Sequence, residues 1–213
     1  MNQGLYVNFG CGLIAPENFL NFDISPTLAI QKIPILGWLA HNLHSVKFPQ
    51  NIQYGDIVRG LPLKNSSIKG VYCSHVLEHL TYEDFNIAIR NVYKILQPGG
   101  VFRIVVPDLE FYIRNYNQSK LMGEKTAAID FCSYTLLGIK RKPNSIIDKA
   151  RDLFGNSKHL WMWDFDSLQV ELESIGFGEV KKCSFNETSD KTFLSVEQSY
   201  SFDNGVCVEC KKY

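Results

Sequence analysis

Short apolar runs rich in β-branched and aromatic residues recur along the chain, and this pattern predicts strands. The runs cover residues 5–9, 19–24, 71–73, 101–106, 179–185 and 205–209. A further short strand is predicted to end at Gly55-Asp56-Ile57.

Two segments instead carry apolar residues at helical spacing. Residues 82–96 form one predicted helix, which Gln97-Pro98-Gly99-Gly100 ends, and residues 166–175 form another, which Gly176 ends. The alternation of strands and helices predicts an α/β fold, a Rossmann-like three-layer sandwich with a mostly parallel sheet. The last two strands are joined by a polar connection over residues 186–202, expected at the surface. They are predicted to pair antiparallel at one edge.

Two stretches fit this alternation poorly, namely residues 25–50 and 109–163. We interpret both as insertions that cover the substrate side of a single domain spanning residues 1–213. The first residues contain neither a basic segment nor a long apolar run, so a cytoplasmic location is expected, and no membrane span is predicted.

Composition narrows the function classes. Lys plus Arg and Asp plus Glu are balanced at 22 each, so no overall field would attract nucleic acid or an anionic membrane. The six cysteines are widely scattered, which favours reduced thiols over a disulfide framework.

Candidate binding residues follow three successive strands. Asn8-Phe9-Gly10-Cys11-Gly12 comes after the first strand, where glycines permit a sharp turn and close approach of a ligand. Asp23 closes the second strand, where a carboxylate can accept both hydroxyls of a ribose, and Asp56 closes the third. A single glycine or aspartate would more often make a turn or a cap. Three such features in this order favour a nucleoside-containing cofactor.

The next stretch contains Ser74-His75-Val76-Leu77-Glu78-His79 and leads to the turn Leu96-Gln97-Pro98-Gly99-Gly100. With the first loop and Asp23, it resembles the type 11 branch of class I S-adenosylmethionine-dependent methyltransferases. The resemblance covers roughly residues 5–108 and returns at Gly176-Phe177. It implies a methyltransferase that uses S-adenosyl-L-methionine. The implied cofactor-binding residues are Asn8, Gly10, Cys11, Gly12, Asp23, Asp56, Ile57, Ser74 and His75.

The first loop departs from the commoner family pattern. Asn8 stands where an acid often lies, and Leu13-Ile14 replaces a further glycine. Pro16 predicts that the first crossover helix is short or absent.

Two patterns suggest zinc. His75-x-x-Glu78-His79 matches a zinc-binding motif, and Cys207-x-x-Cys210 has the spacing of half a zinc site. Neither has visible partners that would complete a ligand set. We therefore expect no metal.

Two other functions compete with this interpretation. Tyr116-x-x-x-Lys120 imitates a reductase pair, but the Gly-x-Gly-x-x-Gly phosphate cradle of a nicotinamide enzyme is incomplete. A methyltransferase-like scaffold that only binds a partner stays open at this level.

The acceptor is expected to be a small molecule or a glycan, with a sugar hydroxyl as the first choice, because relatives of this compact type often modify bacterial surface glycans. Trp161 and Trp163 are predicted to contact the substrate, although core packing is an equally common role for tryptophan. Lys140-Arg141-Lys142 is interpreted as a solvated loop or, less simply, an anion site. If a hydroxyl needs a general base, His159 is the candidate ahead of Asp108. A structural role for His159 is the alternative.

Overall fold

The computed structural model describes residues 5–33, 47–139 and 158–213. Their centre is a seven-stranded mixed sheet in the order β3-β2-β1-β4-β5-β7-β6. The strands are β1 (Leu5–Phe9), β2 (Leu20–Asp23), β3 (Ile52–Tyr54), β4 (Ile68–Ser74), β5 (Leu96–Pro107), β6 (Phe177–Cys183) and β7 (Gly205–Lys212).

The first five strands are parallel to one another, and β7 runs antiparallel to both of its neighbours. The antiparallel pairing predicted at one edge is therefore confirmed, with β7 lying second from that edge. From β1 the chain moves outward to β2 and β3 and then returns to β4 on the other side of β1. Ligands of open α/β sheets bind at such a reversal, beside the carboxyl ends of the strands.

Five helices accompany the sheet in the described residues. They are α1 (Pro26–Gln31), α2 (Tyr82–Ile95), α3 (Leu109–Leu121), α4 (Ala127–Tyr134) and α5 (Phe165–Ile175). Both helices predicted from periodicity are present, as α2 and α5. Asp164 and Ser167 form a capping box at the start of α5, and Gly176 ends that helix with a φ of 115°.

The main core lies on the sheet face that α2 and α5 cover, where Phe85, Ile89 and Leu172 are fully buried. The other face is covered differently. No helix joins β1 to β2, as Pro16 predicted, and two 3₁₀ helices at Lys191–Ser195 and Ser199–Phe202 lie within the connection between β6 and β7. Phe193 from that connection is fully buried against Tyr6 and Tyr72. The expectation of a mere surface connection over 186–202 was therefore wrong.

A charged network is buried on the same face. The Arg103 guanidinium on β5 pairs with Glu197 and, at 3.2 Å, with Glu209 on β7. It also donates to the carbonyl oxygens of Glu187 and Ser184 at 2.8 and 3.0 Å. Because every charged partner is satisfied, this network holds the 184–197 segment against the sheet.

The two predicted insertions are described in part. The first contributes α1, and the second contributes α3 and α4, which accounts for its helical pattern. Residues 34–46 and 140–157, with Lys140-Arg141-Lys142, lie outside the described residues. Within the described ranges, none of the helices has the length and apolar character needed to cross a bilayer.

Candidate functional site

The first loop turns sharply after β1. Gly10 and Gly12 have φ values of 62° and 53°, in the left-handed region that glycine adopts without strain. The Asn8 side chain is buried and donates to the carbonyl oxygen of Ile14 at 2.9 Å. Asn8 thus stabilises the loop, and it also lines a cavity at the end of β1.

Asp23 joins this loop to the end of β2. Its Oδ2 accepts a hydrogen bond from the backbone N–H of Gly12 at 2.9 Å, and its Oδ1 accepts one from Ser25 at 2.7 Å. Each carboxylate oxygen has a second lone pair, so Asp23 can still accept hydrogen bonds from two hydroxyl groups.

Asp56 follows β3 along the same edge of the sheet. Its Oδ1 accepts a hydrogen bond from the backbone N–H of Val58 at 2.8 Å, and its Oδ2 lies 3.5 Å from Nε of Arg59. The Ile57 side chain is buried in the main core. Asp56 therefore has a turn-stabilising role in addition to any contact with a ligand.

A cavity of about 380 Å³ opens between the ends of β1 and β4. Five residues of the predicted cofactor set line it: Asn8, Gly10, Cys11, Ser74 and His75. The other four, Gly12, Asp23, Asp56 and Ile57, lie outside this lining, and Gly12 and Asp23 adjoin it through the first loop. Sequence reasoning missed one wall of the cavity, formed by Val196, Gln198, Tyr200 and Ser201 of the β6–β7 connection.

Two observations fit the cofactor that the resemblance implies. The Ser74 hydroxyl in the cavity wall is buried and has no hydrogen-bond partner among the described residues, so it can bind a polar group of a ligand. At Gly12, a Cβ would meet no atom within 4 Å, which leaves space for a ligand over the backbone.

Cys11 is a packing residue, because burial raises the pKa of its thiol to about 12 and keeps it protonated.

His75, Glu78, His79 and His159 come together where β4 ends. His75 Nδ1 lies 3.2 Å from Glu78 Oε1, and the Nε2 atoms of His79 and His159 lie 3.9 and 4.0 Å from the same oxygen. The two rings of His79 and His159 meet edge to face with centroids 5.0 Å apart. His159 is thus the third potential ligand that the His75-x-x-Glu78-His79 motif lacked at the level of sequence.

The charges around Glu78 act differently on two of these histidines. Burial by itself lowers the pKa of His75, but the adjacent Glu78 carboxylate outweighs burial and raises it above its ordinary value. Burial lowers the pKa of His159, against the attraction of Glu78, so that its imidazole is neutral at pH 7. A neutral ring agrees with the predicted role as a base, which stays a prediction.

Two predicted site residues have structural roles instead. Asp108 is buried at the start of α3, and its Oδ1 accepts a hydrogen bond from the backbone N–H of Glu110 at 3.0 Å. Trp163 is 1% exposed and packs on Phe85 with ring centroids 4.0 Å apart. Asp108 thus caps α3 and Trp163 packs in the core, while the catalytic role of Asp108 and the substrate contact of Trp163 stay predictions.

Trp161 is 42% exposed, in contrast to Trp163. Its backbone N–H donates to the carbonyl oxygen of Glu78 at 3.2 Å, and its ring lies 5.0 Å from that of Tyr82. The Glu78 backbone therefore fixes an accessible indole beside the histidine cluster.

A second cavity of about 650 Å³ lies between α3 and α4. Its lining combines aromatic rings with amide, hydroxyl and carboxylate groups: Phe111, Tyr112, Tyr116, Phe131, Tyr134, Asn115, Gln118, Ser119, Glu124, Asp130 and Asn204, with Met122 and Ala127. Tyr116, which belongs to the reductase-like pair, packs on Phe131 in this lining, with ring centroids 5.9 Å apart.

Comparisons with known proteins agree with this geometry. Residues 10–104 match a family described as a methyltransferase domain. A SAM-dependent methyltransferase from Archaeoglobus fulgidus has a similar solved structure, with a TM-score of 0.50 and 16% identity over 99% of this chain and 87% of that one. PigF with SAH gives a TM-score of 0.51 and 12% identity over 99% of this chain and 56% of that one. No curated protein matches the chain in sequence.

At these identities the two solved structures establish the shared fold, and the family match accounts for the first loop, the ends of β2 to β4, and α2. The match ends within β5, at residue 104. The residues that follow, including the second cavity and Trp161, lie beyond it.

Proposed function

We propose that this S-adenosylmethionine-dependent methyltransferase, whose residues 10–104 match the type 11 methyltransferase domain family, transfers a methyl group to a hydroxyl of a small molecule or glycan. A sugar hydroxyl is the first choice. S-adenosyl-L-methionine supplies an electrophilic methyl group on a sulfonium centre. The protein must then bind both molecules, hold the acceptor in line with the methyl group and exclude water.

We assign cofactor binding to the strand ends of β1 to β4. Gly12 provides the open backbone and Asp23 accepts hydrogen bonds from the ribose. Asp56 and Ile57 flank the adenine, and Ser74 binds a polar group of the methionine part. The unpartnered Ser74 hydroxyl in the first cavity supports this placement.

We propose that the acceptor binds in the second cavity. Aromatic rings can pack against the C–H faces of a sugar, and the amide and carboxylate groups around them suit its hydroxyls. Five aromatic side chains and several such polar groups meet here within about 650 Å³. This size suits a mono- or disaccharide better than a single small amine.

Glu78 interacts with one lining residue of each cavity. Tyr112 lines the second cavity, and burial together with the negative charge of Glu78 raises the pKa of its hydroxyl. Glu78 Oε1 also lies 3.2 Å from Nδ1 of His75, in the wall of the first cavity. We therefore propose that the acceptor and cofactor sites meet near Glu78.

The test is a transfer assay with S-adenosylmethionine labelled at its methyl group. Acceptor pools should include sugar nucleotides and oligosaccharides, phenols, carboxylic acids and amines, with Asp23→Ala protein as the matched control. Label that depends on Asp23, resists mild base and appears on a carbohydrate would support the proposal, since an ether survives base and an ester does not. Label found only on amines, carboxylates or phenols would overturn the carbohydrate assignment.

A further inference from the structure

Glu78 places a buried carboxylate among three histidines, and the transfer of a methyl group does not require such a cluster. Its carboxylate is fully buried, and neither oxygen has a hydrogen-bond donor in the described residues. The histidine nearest to it is His75, whose Nδ1 lies 3.2 Å from Oε1. A buried carboxylate without a donor is costly unless a positive charge compensates it.

His79 presents a ring nitrogen to this carboxylate. Nδ1 of His79 lies 2.8 Å from the carbonyl oxygen of Lys158, and this contact requires a proton on Nδ1. In the neutral ring, Nε2 is then an unprotonated nitrogen, and it lies 3.9 Å from Glu78 Oε1. Metal-binding histidines have this arrangement, with the outward N–H held by a carbonyl or carboxylate.

His159 adds a second imidazole from a distant part of the chain. Its Nε2 lies 4.0 Å from Glu78 Oε1, and its Nδ1 is buried. One ligand atom from each of Glu78, His79 and His159 lies within 4.8 Å of the others. Ligands of one zinc ion stand about 3.4 Å apart, so small side-chain movements would close the set.

From this geometry we propose that Glu78, His79 and His159 bind one divalent transition-metal ion, with zinc as the reference ion. Two imidazoles and one carboxylate are a common zinc ligand set, and three protein ligands leave one coordination position for an outside oxygen. The proposal replaces the expectation that the chain holds no metal. It also replaces the role of His159 as a free base, because the metal would occupy the same Nε2.

The location suggests what the fourth ligand is. His75 Nδ1 lies 3.2 Å from Glu78 Oε1, and His75 also lines the first cavity. An ion bound by the cluster would therefore lie beside the proposed cofactor site, where an oxygen of the acceptor or of water could complete its coordination. This role rests on the proposed function, whereas the presence of the metal site does not.

The first experiment measures metal binding by the full chain after treatment with a chelator. Titration with zinc in a calorimeter should give one ion per chain with micromolar or tighter affinity. Glu78→Gln and His159→Gln should each weaken zinc binding by at least about 100-fold. Glu173→Gln, at an exposed glutamate on α5, is the matched control and should bind zinc like the wild type.

A second measurement guards against variants that fail to fold. Cobalt(II) added to the wild-type protein should give visible absorption bands without a thiolate charge-transfer band. A thiolate band would place the ion at Cys207 and Cys210 and overturn the proposal. Binding of less than about 0.1 zinc per wild-type chain, or unchanged binding by folded Glu78→Gln and His159→Gln proteins, would also overturn it.

S-adenosylhomocysteine binding is measured on the same samples. Cofactor binding without zinc removes the metal site and leaves the proposed function standing. Zinc binding by a protein that methylates no acceptor would support the metal site and count against the proposed function.

Discussion

The backbone N–H of Gly12 donates a hydrogen bond to Oδ2 of Asp23 at 2.9 Å, so the end of β2 holds the first loop in its left-handed turn. The same side chain therefore shapes the first loop and keeps lone pairs for the proposed contact with a ribose. Asp23→Ala should weaken binding of S-adenosylhomocysteine by about 10- to 100-fold, or about 1.5–3 kcal/mol. Calorimetry checks this, with the exposed Asp203→Ala as control. Binding within about twofold of wild type would remove Asp23 from the cofactor site.

Gly10 and Gly12 share a positive φ but differ in their surroundings. A Cβ on Gly10 would lie 2.2 Å from Cγ2 of Val76, whereas one on Gly12 would meet nothing within 4 Å. Gly12→Ala should cost about 1–2 kcal/mol of unfolding free energy through backbone strain alone. Gly10→Ala should cost about 1–3 kcal/mol more, because Val76 must also move. Urea denaturation of the pair measures the difference, and equal losses would contradict the close contact with Val76.

Trp163 is buried and Trp161 is exposed, so we expect substitutions of the two residues to have different effects. Trp163→Ala should lower the free energy of unfolding by about 3–5 kcal/mol, because it leaves a large hole beside Phe85. Trp161→Ala should change stability little and raise the KM for the acceptor by about 2- to 10-fold, if the exposed indole packs on it. Thermal denaturation and steady-state kinetics with the identified acceptor check the two halves. An unchanged KM would exclude Trp161 from the acceptor site.

Glu209 predicts a pH dependence of stability. Burial by itself raises the pKa of Glu209, but hydrogen bonds from Ser189 and Thr188 and the Arg103 charge outweigh burial and lower it. With the folded pKa below the unfolded value near 4.3, the contribution of the carboxylate is present above that pH and is lost as pH falls through the folded pKa. Glu209→Gln should therefore cost about 3 kcal/mol at pH 7 and progressively less below about pH 4.

The control for this experiment is Glu179→Gln on the same hairpin. Glu179 pairs with Lys211 at the surface, so its loss should leave stability nearly unchanged at either pH. Guanidinium titrations between pH 3 and 7 give both profiles. A pH-independent difference between wild type and Glu209→Gln would show that the Glu209 carboxylate does not stabilise the fold through its charge.

Cysteine reactivity follows from burial. Five thiols are buried, and burial raises the pKa of Cys11, Cys73, Cys183, Cys207 and Cys210. Cys132 on α4 is exposed. Iodoacetamide at pH 8 should therefore modify one thiol per native chain quickly and the others only after denaturation. Mass spectrometry of the labelled peptides identifies the site, and rapid labelling of Cys11 would contradict its packing role.

The sequence by itself determined the alternation of strands and helices. Periodicity of two and of 3.6, together with turn residues such as Gly176, is a local signal, and all seven strands were recognised. The turn predicted over residues 97–100 was wrong, because those residues lie in β5, which begins at Leu96. The glycine loop and Asp23 could be placed for the same reason, since each follows its own strand directly. Pro16 likewise marked the missing first crossover helix.

Only the tertiary structure decided which distant segments meet at the site. His159 is 80 residues from His79 in the chain, yet the backbone N–H groups of Leu160 and Trp161 bind the Glu78 carbonyl oxygen and bring the two rings together. Trp161 and Trp163 have the same chemistry and stand two positions apart, but packing buries one and exposes the other. From the sequence, residues 196–201 were predicted to be part of a polar surface connection. In the structure, burial of Phe193 and the ion pair between Arg103 and Glu197 hold this segment against the sheet, where it lines the first cavity. Such contacts depend on chain closure over long sequence distances, and neither residue type nor local spacing records that closure.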